Sequence, residues 1–102
     1  MRWAVKKHGL TFPEQAEKFD FDHEVVLFFG QDGKTRIRCA ISREALDDDF
    51  RADNREKVEV FRENRKVIEG AARRKYLAGD TETDGSILIH SGELAKPRAA
   101  RK

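Results

Sequence analysis

The stretch "VVLFFGQDGKTRIRCAIS", residues 25–42, decides the fold, because it holds two strand patterns on either side of a turn signal. Within it, Asp32-Gly33 is a strong short-range hairpin signal. After the turn, Ile37, Cys39 and Ile41 alternate with polar or small residues, which predicts a strand with one buried face. Before the turn, the unbroken apolar run of residues 25–29 is typical of a strand covered on both faces or lying in mid-core.

Further elements are predicted on both sides of this hairpin. Upstream, "FDFDHE" extends the strand pattern, and "GLTFPE" predicts a short extended segment that stops at Pro13. Downstream, Ser42 occupies the N-cap position of a short helix, "REALDDDF", which we expect to end near Phe50. Asp53 is the next N-cap candidate, and from there a long helix of about 24 residues runs to Gly79.

The last predicted element is a strand, "SILIHS", with Ile87 and Ile89 on the core side. The order is therefore β-β-β-α-α-β, which predicts an α+β fold. We expect a small antiparallel sheet with one short and one long helix packed on one face. Residues 1–102 are predicted to form a single domain. The N-terminal extension, residues 1–9, and the basic tail, residues 92–102, are expected to be flexible.

Composition narrows the class of protein. The chain has 102 residues, 39% of them charged, and a formal net charge of +2. It contains no apolar run of the ~20 residues that a membrane span needs, so no membrane association is expected. The N-terminus has no secretory h-region and there is a single cysteine, which favours a cytoplasmic protein. Residues 55–102 carry twelve basic and eight acidic side chains, a balance compatible with an anionic partner.

One polar residue interrupts the predicted long helix. In "VFRENRKVIEGAARRKY", residues 60–76, Asn64 falls inside an apolar stripe. A buried carboxamide needs hydrogen-bond partners, and backbone groups of the "CAISRE" turn or of the Asp53 loop are the structural explanation. The functional hypothesis places Asn64 and Arg65 in the floor of a cleft, and helix self-association through Asn64 is a third reading.

Catalytic and metal-binding patterns are weak. Cys39 alternates with buried isoleucines, which indicates a core cysteine and not a reactive one. His8, His23 and His90 lack the spacing of zinc ligands. The segment from Asp80 resembles part of a calcium loop but has Ser91 where the bidentate glutamate belongs. We therefore expect no catalytic residue, no metal and no cofactor, and enzyme activity is not predicted.

Four segments taken together resemble a family of small bacterial proteins, the domain of unknown function numbered 1488. They are "FPE", "CAISREAL", "FRENRKVIEGAARRKY" and "DGSILI", and the resemblance covers roughly residues 10 to 90. It implies an α+β fold and carries over no catalytic residue, while residues 1–9 and the part after Ser91 depart from the pattern. The matching positions are Cys39, Ile41, Ser42, Glu44, Leu46, Phe61, Asn64, Arg65, Ile68 and Tyr76.

Three functional hypotheses follow from these observations, and the third is an enzyme that uses Cys39, which would require a thiol that reacts rapidly in the folded protein. The preferred one is a non-enzymatic, regulatory or macromolecule-binding domain whose partner is a protein, bound at a sheet edge or through a basic rim. The residues proposed for that site are Arg36, Arg38, Arg43, Asn64 and Arg65. The alternative is weak, sequence-independent nucleic-acid binding by the long helix and the tail. Its residues are Arg55, Arg62, Lys66, Arg73 and Arg74, although Glu59, Glu63 and Glu69 interrupt them in the pattern of a solvated helix face.

Overall fold

A computed structural model of the chain describes residues 9–94. The described part contains four strands and three helices: β1 (Lys18–Asp20), β2 (Val25–Asp32), β3 (Thr35–Ser42), α1 (Arg43–Phe50), α2 (Lys57–Glu63), α3 (Arg65–Leu77) and β4 (Ile87–Ile89). The strands form one sheet in the order β1-β2-β3-β4. The predicted α+β class is confirmed.

The β2–β3 hairpin forms where its sequence predicts it. The strands pair antiparallel, with Phe28 opposite Cys39, and Gly33 lies in the connecting turn at a φ of 61°. That positive φ suits a glycine, which has no Cβ to clash. Ile37, Cys39 and Ile41 all point into the core, as the alternation predicts. The hairpin thus supplies the floor on which the helices pack.

The predicted start and the predicted end of the short helix α1 are both confirmed. The Ser42 Oγ accepts a hydrogen bond from the Ala45 N–H at 3.0 Å, which satisfies one of the free N–H groups of the first turn. The helix ends at Phe50, and the next residue, Arg51, adopts a left-handed φ of 55°. Ala45 and Leu46 lie fully buried against the sheet.

The region before β2 differs from the prediction. "GLTFPE" contributes only an isolated bridge between Thr11 and Gln31, not a strand. "FDFDHE" does not extend β2; it contains the end of β1 and a turn. The Asp20 Oδ1 accepts a hydrogen bond from the Asp22 N–H at 3.0 Å, and Glu24 takes a positive φ of 56°. An aspartate that bonds backbone two residues on favours such a turn over continued strand.

The single long helix is the prediction that is wrong, because the chain breaks at Asn64 into α2 and α3. Asn64 has a φ of −120° and a ψ of 24°. Its Nδ2 donates to the Val60 carbonyl at 2.9 Å, and its own N–H also reaches that carbonyl, at 3.2 Å. The side chain therefore competes for the backbone acceptor of the preceding turn, and this distorts the helix.

Two details follow from the break and its surroundings. Val67, predicted on the apolar stripe, is 49% exposed and lies three residues after the break at Asn64, so the stripe does not continue unchanged from α2 into α3. Asp53 is not the N-cap of the helix. It lies in a turn closed by the Arg55 N–H and the Ala52 carbonyl, and Glu56 precedes the first helical residue without a side-chain cap bond.

The sheet is mixed and not wholly antiparallel, because β4 pairs parallel to β3. The reason lies in where α3 ends. The Tyr76 hydroxyl, near its C-terminus, donates to the Asp32 carboxylate at 2.5 Å, so α3 finishes beside the end of the sheet where β3 begins. A strand that starts from this end runs in the same direction as β3. The path from β3 through three helices to β4 is thus a crossover connection.

The core lies between the helices and one face of the sheet. Phe61, Ile41, Leu46 and Ile68 are among its largest fully buried side chains. No helix among residues 9–94 is both long and apolar enough to cross a bilayer.

The predicted flexible ends fall mainly on residues 1–8 and 95–102, which lie outside the described residues. Within the predicted tail, Leu94 is buried and the Glu93 carboxylate accepts from the Lys75 Nζ at 3.0 Å.

Candidate functional site

The face of the sheet turned away from the helices is called here the open face. Each strand has a residue that clearly points toward the helices: Phe19, Val26, Cys39 and Ile87. Because alternate side chains of a strand point to opposite faces, the strand residues that alternate with these four belong to the open face. Its side chains are Lys18, Asp20, Val25, Leu27, Phe29, Gln31, Arg36, Arg38, Ala40, Ser42 and Leu88.

The centre of the open face is apolar. Leu27 lies opposite Ala40, and Ala40 lies opposite Leu88, so the three form one row across β2, β3 and β4. All three are half-buried, and Val25 beside them is only 8% exposed. These side chains line a cavity of about 210 Å³. A sheet face that met only water would carry polar side chains at such positions, so this row is the site's first unusual feature.

The rim of that cavity is polar and carries both charges. Asp20, the last residue of β1, and His23, in the turn that follows, border it on one side, and Arg38 and Glu82 border it on the other. The His23 Nδ1 lies 2.9 Å from the Asp20 Oδ2. Hydrogen bonding by His23 is the main cause that lowers the pKa of Asp20. An apolar floor with a few convergent polar groups is typical of a recognition site.

Arg36 covers the end of the open face. Its guanidinium lies 3.7 Å from the centroid of the Phe29 ring, and its Nε and Nη2 donate to the Glu14 carboxylate at 2.8 and 2.9 Å. The bidentate bond holds the guanidinium plane over the aromatic face. Arg38, two residues on, makes a looser contact of 3.5 Å with the exposed Asp84. Of the predicted binding residues, Arg36 and Arg38 therefore share the open face.

The other three predicted binding residues lie elsewhere. Arg43 begins α1 and pairs with Glu24 at 3.2 Å, beside a groove of about 410 Å³ next to Phe21, which is 82% exposed. Asn64 and Arg65 lie at the α2–α3 junction, on the helix side of the sheet. The structure thus divides the predicted site into three separate places.

At the α2–α3 junction, Arg65 is occupied by acidic neighbours. Its Nη2 donates to the Glu17 Oε2 at 2.8 Å, and its Nη1 lies 3.7 Å from Glu69. Arg62 donates to the same Glu17 oxygen at 2.6 Å. The Asn64 carboxamide is held by the main chain of its own helix, not by the "CAISRE" turn or the Asp53 loop. These contacts give the junction a structural role.

Two carboxyls of this cluster, those of Glu17 and Glu69, are subject to opposing effects on their pKa: burial raises it, and the neighbouring arginines lower it. Burial works to raise the pKa of Glu17, but the hydrogen bonds from Arg62 and Arg65 outweigh it, and the pKa is lowered. For Glu69 burial prevails over the attraction of Arg65 and Arg73, and its pKa is raised. Glu17 is buried, and its Oε1 has no hydrogen-bond donor among the described residues.

The alternative nucleic-acid residues are mostly engaged within the described part of the chain. Arg55 makes a bidentate bond with Glu63, and Arg62 bonds Glu17. Arg73 and Arg74 donate to the backbone carbonyls of Leu10 and Leu94. A phosphate would have to displace these partners. Lys66 is exposed, and the predicted contribution of the basic tail lies outside residues 9–94. Nucleic-acid binding stays a prediction.

The single thiol is predicted to be unreactive in the folded protein. Cys39 is fully buried, and burial raises the pKa of its thiol to about 12. Because the thiolate is the nucleophile, we expect alkylation by iodoacetamide at pH 8 to be at least ~100-fold slower than in denaturant. Mass spectrometry against time measures both rates. Labelling of the native protein at the denatured rate would contradict the prediction and revive a cysteine-based activity.

Leu27 and Leu88 are residues of the open face that the sequence pattern alone does not indicate as a site. The apolar run of residues 25–29 predicts a strand covered on both faces or lying in mid-core, whereas the helices cover only the face of Val26 and Phe28. The missing information was the register, which places Leu27, Ala40 and Leu88 in one row. The unbroken run itself was the available signal, since a strand with one solvated face alternates.

Comparison with known proteins bears on the fold. A family described as "Protein of unknown function (DUF1488)" matches residues 10–89. A crystal structure of a protein of unknown function from the DUF1488 family of Shewanella loihica superimposes with a TM-score of 0.71 at 20% identity. The match covers 85% of this chain and 98% of that one, and at this identity it supports the fold alone. Among curated proteins, no match to this chain is found.

Proposed function

We propose that this chain, which belongs to the DUF1488 family of proteins of unknown function, is a non-enzymatic, cytoplasmic protein-binding domain. In this proposal the domain engages its partner through the open face. The observation that carries the proposal is the row of Leu27, Ala40 and Leu88 on the side of the sheet away from the helices.

Binding of a partner to the open face is favourable because this row leaves apolar area accessible to water. Burying apolar surface stabilises a complex by about 25 cal/mol for each Å² removed from water. The polar rim adds direction, because Asp20, Arg36 and Arg38 surround the row with fixed charges and donors. An apolar centre with a polar rim and accessible arginine is the usual anatomy of a protein interface. Arg36 and Arg38, predicted from the sequence, keep their role in this proposal. Arg43, Asn64 and Arg65 lie away from it.

Site-specific photo-cross-linking in the native cell tests the proposal. A photoreactive amino acid replaces Leu88 on the open face or, as the matched control, Leu77, which is 55% exposed at the end of α3. We expect a discrete cross-linked product from position 88 and none from position 77, because only position 88 borders the proposed interface.

A second substitution makes the test specific. Leu27→Asp places a charge in the apolar row, and we expect it to reduce the product from position 88 at least ~10-fold, about 1.4 kcal/mol in binding. Urea unfolding verifies that the variant folds, and Ala40→Glu serves in its place if it does not. Equal yields from positions 88 and 77, or a product that survives both substitutions, would rule out the open face as the binding surface.

A further inference from the structure

We propose that the partner bound by the open face is a second copy of this chain, arranged with Leu27 near the two-fold axis and Asp20 facing Arg38 of the second copy. The inference rests on the proposed function and specifies it. What carries it is the placement of these two charges about the apolar row.

The strand register fixes that placement. Asp20 on β1 lies opposite Val25, two residues before Leu27 along β2. Arg38 on β3 lies opposite Phe29, two residues after Leu27. The two charges therefore lie on opposite sides of Leu27, one strand away in each direction and displaced by equal lengths along it. With strands ~4.8 Å apart and a rise of ~3.4 Å per residue, each lies roughly 8 Å from Leu27.

This arrangement is self-complementary. An isologous dimer buries the same patch on both copies, so a residue at one position contacts the residue at the symmetry-related position. The two-fold axis of such a dimer lies in the plane of the interface and passes through Leu27. It runs perpendicular to the line that joins Asp20 and Arg38. Rotation about this axis places Asp20 of each copy over Arg38 of the other. The strands of the two sheets then cross at roughly 70°, nearer to orthogonal than to aligned sheet packing. A partner of unrelated sequence would not require opposite charges at equal distances from the apolar centre.

The Arg38 guanidinium and one oxygen of the Asp20 carboxylate, Oδ2, each have an exposed partner that can be exchanged. Arg38 lies 3.5 Å from Asp84, and both side chains are more than half exposed. The Asp20 Oδ2 contacts His23, whose side chain is 77% exposed, while the Asp20 side chain is 25% exposed and its Oδ1 accepts a hydrogen bond from the Asp22 N–H at 3.0 Å. Exposed pairs of this kind contribute little to stability, so an ion pair across the interface can replace them at small cost.

The size of the open face limits the affinity. Four strands at most eight residues long span about 19 by 27 Å, or roughly 500 Å² in projection. Stable interfaces bury about 800 Å² on each partner. The dimer should therefore be weak, with a dissociation constant on the order of micromolar to hundreds of micromolar, and visible only as the concentration rises.

Sedimentation equilibrium of the full chain, from about 1 µM to about 500 µM, measures this association. We expect Asp20→Arg and Arg38→Asp each to weaken it at least ~10-fold, because each brings two like charges together twice in the dimer. The combined variant restores the pairs with reversed sign and should recover an affinity within about threefold of the original. Leu27→Asp should abolish association, and Leu77→Asp, away from the open face, should leave it unchanged.

Two results would overturn the inference: a monomer at every concentration, or a combined variant no tighter than either single reversal. The cross-linking experiment separates this failure from failure of the proposed function. A product of twice the chain mass supports self-association. A product containing another protein overturns the second copy as partner but keeps the open face as a binding surface. No product specific to position 88 overturns both.

Discussion

Replacement of Phe61 by alanine is expected to lower the free energy of unfolding by about 3–5 kcal/mol, the cost of removing a large ring from a packed core. Phe61 lies on α2 and is fully buried, and its ring centroid lies 4.9 Å from that of Phe28 on β2. The Arg65 guanidinium lies over the Phe61 ring, 5.2 Å from its centroid. The substitution therefore removes the contact between helix and sheet and also a support of the α2–α3 junction.

Urea unfolding followed by circular dichroism measures this loss, with Leu77→Ala as the control. Leu77 is 55% exposed, so its truncation should change stability by no more than about 0.5 kcal/mol. Domains of this size are stable by only about 5–15 kcal/mol, and Phe61→Ala can leave a substantial unfolded fraction without denaturant. Equal midpoints for the two variants would mean that the helices do not pack on the sheet as described.

Replacement of Glu17 by alanine is expected to cost about 2 kcal/mol, because it leaves Arg65 in a mostly buried position without its carboxylate. The Arg65 side chain is 19% exposed, whereas that of Arg62 is mostly in water and loses less. Glu63→Ala is the matched control, since it removes an equally short bidentate partner from Arg55 at the surface. The control should lose much less, because water screens an exposed pair. Similar losses in both variants would contradict the structural role of Glu17.

The same glutamate should make stability depend on acid pH. The folded pKa of Glu17 lies below its ordinary value of 4.5, so the unfolded chain binds the proton first as pH falls. Its stabilisation is therefore complete above pH ~4.5 and is lost as pH falls through the folded pKa. Glu69, whose pKa is raised, acts in the opposite sense: its contribution is present at low pH and is lost as pH rises through its folded pKa. Unfolding measured from pH 3 to 7 should show a shallower acid loss in Glu17→Ala than in the unchanged chain.

Local signals predicted the parts of the fold that depend on nearby residues. The β2–β3 hairpin depends on contacts between neighbouring residues. Its signals are the alternation of Ile37, Cys39 and Ile41 and the turn at Asp32-Gly33. Ser42 caps α1 through a bond to a residue three positions away. Such features are encoded within a few residues, and the structure matches them.

Features that depend on distant contacts could not be predicted in this way. The pattern of Ile87 and Ile89 is the same for a parallel and an antiparallel strand, and the direction of β4 is set by where α3 ends, beside Asp32. Asn64 stands out as a polar residue in the apolar stripe, but helical periodicity does not show whether its amide bonds another element or breaks its own helix. The open face required the register across three strands, which no single segment contains.

The parallel position of β4 has a consequence for protein synthesis. Translation produces Ile87 and Ile89 after every other described element, yet their strand pairs with β3, which the ribosome has made some 45 residues earlier. Until then the nascent chain carries an unpaired β3 edge beside a core that lacks these two isoleucines. An open edge of this kind is prone to pairing with other chains. A chain that ends between α3 and β4 would therefore leave the β3 edge open to pairing with other chains.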